Sequence, residues 1–249
     1  MIKAFVVKGI PLIKKGDDLA SIISSRFEIE NKDIVVICST VVSKAEGRIK
    51  DLNDYIPSEK ALNIAKRLGK DARIIQAVLD ESDEVLIDYP ILLVKAKFGN
   101  ICINAGIDAS NVEKGKILLP PLNPQRSAEK IRKRIEELTG KKVGVIITDT
   151  NGRCFRRGVV GFAIGVSGVK AMKNWIGKKD LYGNVLEITV ECVADEIAAF
   201  ANLLMGEGGD GTPVVIIRGL DLIGDGSVDE IYRSEDEDVI RKAIKCKDE

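Results

Sequence analysis

One segment of the sequence places an acid and a hydroxyl at the end of an apolar run. Residues 143–148 are mostly β-branched, and Asp149 and Thr150 follow them directly. Three arginines come next: Arg153, Arg156 and Arg157. Carboxylate and hydroxyl oxygens suit a divalent cation bound to phosphate, while arginines suit a second anionic group. The alternative is a turn capped by Asp149 and followed by a solvated surface loop.

A second apolar run, residues 101–104, leads into small and polar residues. Gly106, Asp108, Ser110 and Asn111 follow it closely. Asp108 has the chemistry of a second metal ligand, and Asn111 has that of a contact to a nucleotide. An Asx turn supported by Gly106 would use the same residues without any ligand.

The segment 205–212 has a glycine density that a short connector does not need. Its residues are Met205, Gly206, Glu207, Gly208, Gly209, Asp210, Gly211 and Thr212. Glycine lets backbone N–H groups approach a phosphate closely, and the two acids would repel that phosphate unless a cation lay between them. The segment favours metal–nucleotide binding over a flexible connector. It is not a Walker A motif, because no lysine precedes Thr212.

Two shorter motifs complete the set. Backbone edges that suit contact with a base occur near the start of the chain, at Gly9, Ile10, Pro11 and Leu12. Hydroxyl and amino groups that suit phosphate oxygens occur further along, at Ser39, Thr40 and Lys44. Each motif alone is more typical of an ordinary turn.

The absence of histidine limits the chemistry further. The chain contains no His, and its five Cys are scattered and never spaced as Cys-x-x-Cys. Ser-His and Cys-His catalysis and His-ligated zinc are therefore excluded, and structural zinc or a disulfide framework is disfavoured. A metal site here needs oxygen ligands, which points to Mg²⁺ or Mn²⁺ held by Asp and Glu beside a phosphate.

The overall composition is that of a folded, soluble protein. The 249 residues are 45% hydrophobic and 31% charged, and 38 Lys and Arg balance 38 Asp and Glu. This balance favours neither nucleic acid nor an acidic membrane surface as a partner. Because no apolar run is long enough to span a membrane and no signal peptide opens the chain, we expect a cytoplasmic protein.

Helix and strand patterns alternate along the segments that position these motifs. We expect helices at residues 17–26, 58–68, 71–80, 127–138 and 194–205, and another after Ser234, whose capping-box partner is Glu237. Strands are expected at residues 34–38, 92–95, 101–104, 143–148 and 214–218. The prediction is a mixed α/β fold in which residues 1–249 form one catalytic unit, and no composition break marks a boundary between two lobes.

Five motifs, taken in order, resemble those of the coenzyme F420-0:L-glutamate ligase family. They are Gly-Ile-Pro-Leu at 9–12, Ser-Thr-Val-Val-Ser-Lys-Ala-Glu-Gly-Arg at 39–48, Asn-Ala-Gly-Ile-Asp-Ala-Ser-Asn at 104–111, Ile-Thr-Asp-Thr-Asn-Gly-Arg at 147–153 and Met-Gly-Glu-Gly-Gly-Asp-Gly at 205–211. The resemblance covers essentially the whole chain, and the length matches the archaeal stand-alone form. It implies an unusual two-lobed α/β fold that forms an intertwined homodimer.

The resemblance also implies a reaction in coenzyme F420 biosynthesis. A GTP-dependent ligase of this family activates the terminal carboxylate of F420-0 as an acyl phosphate and forms an amide with L-glutamate. It then adds a further γ-linked glutamate, giving GDP and phosphate. Two divalent ions, Mg²⁺ or Mn²⁺, accompany this chemistry, and a requirement for K⁺ is left open.

Residue by residue, the resemblance assigns Asp108 and Asp149 to one divalent ion, and Thr150 and Glu207 to the other. Many relatives carry Gln where this chain has Glu207, and the charged form should bind a cation more tightly. The residues placed around GTP are Gly9, Ile10, Pro11, Leu12, Ser39, Thr40, Lys44, Asn111 and Met205 to Thr212.

The arginines are interpreted from charge alone. The acceptor carries a phosphodiester and a carboxylate, so Arg153, Arg156 and Arg157 are expected to hold its anionic tail. Asp149, Arg153 and Arg156 are therefore the predicted catalytic residues.

Two other functions would use the same residues. A metal-dependent nucleotide phosphohydrolase would direct water at the phosphate, and a non-catalytic GTP-binding regulatory module would bind GTP without turnover. Dependence on glutamate separates the ligase from both.

Overall fold

The protein is described by a computed structural model that covers residues 1–245. Its helices are α1 (Leu19–Arg26), α2 (Ser39–Ala45), α3 (Glu59–Leu68), α4 (Ala72–Asp80), α5 (Pro124–Thr139), α6 (Val193–Met205) and α7 (Val239–Lys245). Its strands are β1 (Lys3–Val6), β2 (Ile34–Cys38), β3 (Ile49–Asp51), β4 (Ser82–Ile87), β5 (Leu93–Ala96), β6 (Ile101–Ile103), β7 (Lys116–Leu118), β8 (Gly144–Arg153), β9 (Arg156–Ser167), β10 (Lys173–Asn174), β11 (Val190–Glu191) and β12 (Val214–Arg218). The predicted mixed α/β class is confirmed.

The central sheet has the strand order β1-β12-β2-β8-β9, and only β2 and β8 run parallel. Alternate residues of β2 face opposite cores: Val35 and Ile37 pack with α1 and α5, and Ile34 and Val36 pack with α6. Both faces of the sheet are therefore covered, which explains why the middle strands are continuous apolar runs rather than alternating ones.

A smaller sheet, β4-β5-β6, forms the second part of the fold. It shares a core with α3 and α4, in which Ile64, Ile75 and Val94 are buried. The ends of α3 follow from its sequence: the Ser58 side chain accepts a hydrogen bond from Ala61 N–H (3.3 Å), and Gly69 ends the helix in a left-handed conformation (φ 64°).

A buried ion pair ties the end of β12 to the segment before β2. Asp33 is fully buried, and Arg218 donates to both of its oxygens at 2.8 Å. Asp33 also accepts the Glu30 N–H (2.8 Å), and the Arg218 guanidinium lies over the rings of Phe5 and Phe27. The bidentate geometry and the two rings compensate for the desolvation of both charges.

Several predicted boundaries were wrong for local reasons. α5 begins at Pro124 rather than at 127, because Asn123 caps it and proline fits the first helical position. Ser234 and Glu237 are hydrogen-bonded as predicted, yet the helix starts at Val239, since the Asp238 carboxylate accepts the next free N–H groups.

Two elements near the motifs were missed. The run 39–45, predicted only as a turn, is helix α2. The predicted strand 143–148 continues as β8 to Arg153 and turns back into β9, so the arginine segment is a β-hairpin and not a loop. Among the residues that the structure describes, none of the helices is both long and apolar enough to cross a membrane.

Candidate active site

The parallel strands β2 and β8 set the position of two polar side chains. Cys38 pairs with Thr148 where β2 ends, so Ser39, the first residue of α2, lies beside Asp149, which remains in β8 and pairs with Phe162 of β9. In α/β sheets, ligands bind at the carboxyl ends of parallel strands, next to the point where the strand order changes. This edge is therefore the expected location of a ligand site.

Two further segments reach the same edge, because β12 is antiparallel to β2 and begins there, while β1 is antiparallel to β12 and ends there. The N–H of Cys38 donates to Pro213 O (2.9 Å), just before β12, so the glycine segment lies beside the end of β2. The N–H of Val7 donates to Val214 O (2.9 Å), just after β1, which brings the run 9–12 to this edge as well.

A cavity of about 400 Å³ opens at this edge, within the size range of small-molecule sites. The predicted residues that line it are Ile10, Pro11, Leu12, Ser39, Thr40, Lys44, Asp108, Asn111, Asp149, Thr150, Met205, Gly206, Glu207, Gly208, Gly209, Gly211 and Thr212. All five motifs thus contribute to one cavity. Gly9 and Asp210 adjoin lining residues without lining it themselves.

Asp149 lies at the base of the cavity. Its Oδ1 accepts a hydrogen bond from the Ser39 hydroxyl (2.8 Å). Burial raises the pKa of this carboxyl to about 6, hydrogen bonds from Ser39 and the Thr150 backbone oppose that rise, and the charges of Asp108 and Glu207 add to it. Within the described residues no lysine or arginine forms an ion pair with Asp149. Asp149 is therefore a cavity acid whose charge is not neutralised by an ion pair within the described residues.

The 104–111 segment brings Asp108 to the cavity from the smaller sheet. Asn104, Ala105 and Gly106 all have positive φ angles, and a Cβ atom at Gly106 would lie 3.4 Å from Asp149 Oδ2. Glycine at 106 therefore permits the close approach of this turn to Asp149.

The predicted alternative for Asp108, an Asx turn, is present in the structure. Asp108 Oδ1 accepts the Ser110 N–H (2.8 Å), and its other oxygen accepts the Ser110 hydroxyl. Its backbone is also bonded in both directions to Leu118 on β7. Because Asp108 lines the cavity as well, the turn fixes the carboxylate at the cavity wall and does not exclude a ligand role.

Helix α2 positions the lysine of the 39–48 motif. Lys44 lies in its last turn, and its Nζ donates to Asn111 O (2.8 Å). This bond joins the wall formed by α2 to the wall formed by the 104–111 segment. Lys44 lines the cavity and its partner is an uncharged backbone carbonyl, so its positive charge stays available to an anion.

The glycine segment is fixed at both ends. Gly206 ends α6 with φ 74°, and the Thr212 hydroxyl donates to Met205 O (2.9 Å). Between them, Glu207 Oε1 accepts a hydrogen bond from Asn202 Nδ2 (2.8 Å). The loop is therefore a shaped rim of the cavity rather than a free connector.

Sequence reasoning missed Asn202 and Thr148, which also line the cavity. Asn202 carried one signal, since it is the sole polar residue in the apolar run 197–205. Thr148 is fully buried and its hydroxyl has no hydrogen-bond partner among the described residues, which no sequence pattern would have indicated.

The predicted arginines do not line this cavity. Arg153 and Arg156 pair at the end of the β8–β9 hairpin, and at about 3.3 Å per residue Arg153 lies roughly 13 Å beyond Asp149 along the strand. The turn between them exposes Phe155. Within one chain, the hairpin places Arg153, Arg156 and Arg157 apart from the acids.

The described acids do not by themselves surround a metal ion. No three Cys, Asp or Glu side chains in the described part of the chain lie close enough to hold one ion. Mg²⁺ beside a nucleotide is typically held by only one or two protein oxygens, and phosphate and water oxygens complete its coordination shell. The uncompensated charge of Asp149 fits such a cation.

Known proteins match this chain over nearly its full length. The family described as F420-0:Gamma-glutamyl ligase matches residues 9–219. The coenzyme F420:L-glutamate ligase of Archaeoglobus fulgidus is 71% identical over 244 residues, which is 98% of each chain. The enzyme of that name from Methanosarcina mazei is 54% identical over 246 residues, covering 98% of this chain and 97% of its own. That of Methanocaldococcus jannaschii is 46% identical over 235 residues, covering 93% and 94%.

Proposed function

The chain belongs to the F420-0:γ-glutamyl ligase family, and from this membership and the cavity we propose that it joins L-glutamate to coenzyme F420-0 with GTP as the energy source. One observation carries the proposal furthest: five motifs spread from residue 9 to residue 212 line a single cavity with acids, a lysine and a glycine-rich rim. The relatives at 71% and 54% identity are named for ligation of glutamate, which supports the same acceptor chemistry.

The proposed reaction has two chemical steps. A carboxylate oxygen of F420-0 attacks the γ-phosphorus of GTP, the bond to the β–γ bridging oxygen breaks, and GDP leaves. The glutamate amine then attacks the acyl carbon, the carbon–oxygen bond to phosphate breaks, and the nitrogen loses a proton as the amide forms. Repetition on the γ-carboxylate of the added glutamate gives the further γ-linked residue.

The acids are proposed to hold two divalent ions, Mg²⁺ or Mn²⁺. Asp108 and Asp149 would hold one, and Thr150 and Glu207 the other. Bound there, such ions neutralise charge on the transferring phosphoryl group and its two anionic reactants. The fit rests on the carboxylate of Asp149, which is buried, is influenced by the charges of Asp108 and Glu207, and has no ion-pair partner in residues 1–245.

The protein's own groups are proposed to orient the nucleotide. Backbone N–H groups of the glycine segment suit the phosphates, and the Lys44 ammonium can turn from Asn111 O to a phosphate oxygen. The run 9–12 borders the cavity with apolar side chains and backbone edges, which suits a base. The hydroxyl of Ser39 is already committed to Asp149, so its role is to orient that carboxylate.

A homodimer is proposed from the arm formed by residues 174–190. β10 and β11 close its base, and Lys179 pairs with Val185 further out. Beyond the base, Leu181 is 101% exposed, Tyr182 93% and Ile188 86%. A two-stranded arm with this much exposed apolar surface is only marginally stable on its own. We therefore propose that a second copy of the chain buries this surface in a dimer interface. Leu181→Asp should then convert a dimer to a monomer in light scattering, and a wild-type monomer would contradict the proposal.

The proposed activity is tested by combining protein, F420-0, GTP and Mn²⁺, with and without L-glutamate. The ligase predicts a product extended by glutamate and phosphate release that depends on glutamate. Phosphate release without extension would establish the phosphohydrolase instead, and GTP binding without either signal would establish the regulatory module. ATP in place of GTP tests the nucleotide, and Asp149→Ala should abolish turnover while the variant remains folded.

A further inference from the structure

Asn202 joins helix α6 to the glycine segment through two hydrogen bonds. Its backbone carbonyl accepts the Gly206 N–H (3.0 Å), which ends the helix. Its side-chain Nδ2 donates to Glu207 Oε1 (2.8 Å). One residue therefore fixes both the start of the segment and its first acidic side chain.

The position of Asn202 is set by a glycine on the sheet. A Cβ atom at Gly161 of β9 would lie 2.7 Å from both Ala198 O and Asn202 Cβ. The absence of that atom lets α6 lie directly on the strand. Gly161 is also the register partner of Thr150 on β8. Asn202 consequently sits against the strand pair at the level of Thr150.

Glu207 depends on this contact for its orientation. It is exposed, it stands between Gly206 and Gly208, and within the described residues its carboxylate makes no other hydrogen bond. Without the bond to Asn202, the Glu207 side chain would be free to rotate, and ordering it on ligand binding would cost conformational entropy. With the bond, one oxygen is held and the other is left to the cavity, which both residues line.

We propose that Asn202 is a positioning residue that holds Glu207 beside Thr150, so that ligands from distant parts of the chain reach the same divalent ion. The inference rests on the proposed function, which gives Thr150 and Glu207 to that ion. Asn202 acts only through Glu207 and touches neither ion nor nucleotide. Partners that orient a metal ligand typically change metal affinity by about 10- to 100-fold.

The test counts Mn²⁺ bound to the full chain in saturating GDP, from the free-ion signal in electron paramagnetic resonance. Asn202→Leu keeps the approximate shape of the side chain and removes the donor. We expect one of two Mn²⁺ sites to weaken about 10- to 100-fold while the other is unchanged. Asn63→Leu makes the same chemical change on the exposed surface of α3 and should leave both sites unchanged. Asn202→Ala, which favours helix, repeats the test if the leucine variant does not fold.

A double-mutant cycle distinguishes orientation from a general structural role. If Asn202 works through Glu207, then Asn202→Leu adds no further loss of Mn²⁺ affinity in a Glu207→Ala background. In steady-state assays the Mn²⁺ concentration for half-maximal rate should rise about 10-fold or more, while the rate at saturating Mn²⁺ stays within a few-fold.

Unchanged Mn²⁺ affinity in the folded Asn202 variants, or additive losses in the cycle, would overturn the inference. If the proposed function itself is wrong, the wild-type protein will already give a different Mn²⁺ count, so this failure is distinguishable from failure of the Asn202 inference. Wild-type protein that binds fewer than two Mn²⁺ with GDP would refute the two-ion site, and this inference with it.

Discussion

Replacing Asp149 with asparagine should stabilise the metal-free protein while it removes activity. The carboxylate is buried, and the Ser39 hydroxyl donates to it at 2.8 Å. Asparagine keeps an oxygen that can accept this bond but carries no charge to desolvate. Sites shaped for function are often locally unfavourable for stability, and this substitution tests whether Asp149 is such a position.

The size of the effect follows from the pKa of Asp149. Burial raises that pKa from its ordinary 3.8 to about 6, and each pKa unit is worth about 1.36 kcal/mol. The ionised carboxylate therefore lowers the free energy of unfolding by about 3 kcal/mol at pH 8. Because the folded-state pKa is raised, this penalty is complete well above pH 6, fades as the pH falls from 6 to 3.8, and is absent at still lower pH. At pH 5 it is about 1.6 kcal/mol.

Urea unfolding in the presence of a chelator, at pH 8 and pH 5, measures both values. We expect Asp149→Asn to gain about 3 kcal/mol at pH 8 and roughly half of that at pH 5. Asp83→Asn, at an exposed acid outside the cavity, should change stability by less than about 0.5 kcal/mol. A variant no more stable than wild type at pH 8, or one with equal gains at both pH values, would show that the buried charge of Asp149 does not destabilise the fold.

Three further predictions concern the fold around the site. Asp33→Ala should lower the unfolding free energy by about 3–5 kcal/mol in urea, since Arg218 loses its buried partner. Gln125→Leu should cost about 1–3 kcal/mol in the same assay, because Gln125 bonds both the N–H and the C=O of buried Val166. At pH 8, iodoacetamide should modify exposed Cys154 before the other described cysteines, as read by peptide mass spectrometry.

Each of these three predictions has a control variant or a result that would contradict it. Asp221→Ala breaks only the exposed pair with Lys32 and should cost less than about 1 kcal/mol, so equal losses at both aspartates would contradict the burial argument. A neutral Gln125 variant would show that Val166 finds other partners. Burial raises the pKa of the thiols of Cys102 and Cys192 to about 12, and equal labelling there would contradict their burial.

Secondary structure was predicted best where the local signals, such as a helix cap, and the pattern of buried apolar residues indicate the same element. The strand 34–38 and the helix that Ser58 begins were predicted because the apolar pattern and the cap point to the same element. The polar ends of strands indicated where chemistry should be sought, and the family resemblance implied that the five motifs form one site. Their common edge depends on which strands are parallel. Sequence alone does not specify that order.

The β8–β9 hairpin shows why part of the site was beyond sequence reasoning. Asp149, Asn151 and Gly152 are poor strand formers, so the run after 148 was predicted as a loop. Pairing with β9 overrides that tendency and carries Arg153 away from the cavity. Asn202 was missed for a related reason, since its role depends on the register that puts Gly161 opposite Thr150.

The proposed ligation requires that the terminal carboxylate of F420-0 become an acyl phosphate, a mixed anhydride, before the amide forms. F420-0 labelled with oxygen-18 in its terminal carboxylate, incubated with the protein, GTP, Mn²⁺ and L-glutamate, tests it directly. We expect one labelled oxygen in the phosphate released with the first glutamate, none in GDP, and none in phosphate from the second addition, whose oxygen comes from unlabelled glutamate. Singly labelled phosphate should equal the glutamyl-extended product in amount. If no labelled phosphate formed while GTP was consumed and F420-0 was not extended, the added oxygen would have come from water, which would contradict the acyl phosphate and identify a nucleotide hydrolase.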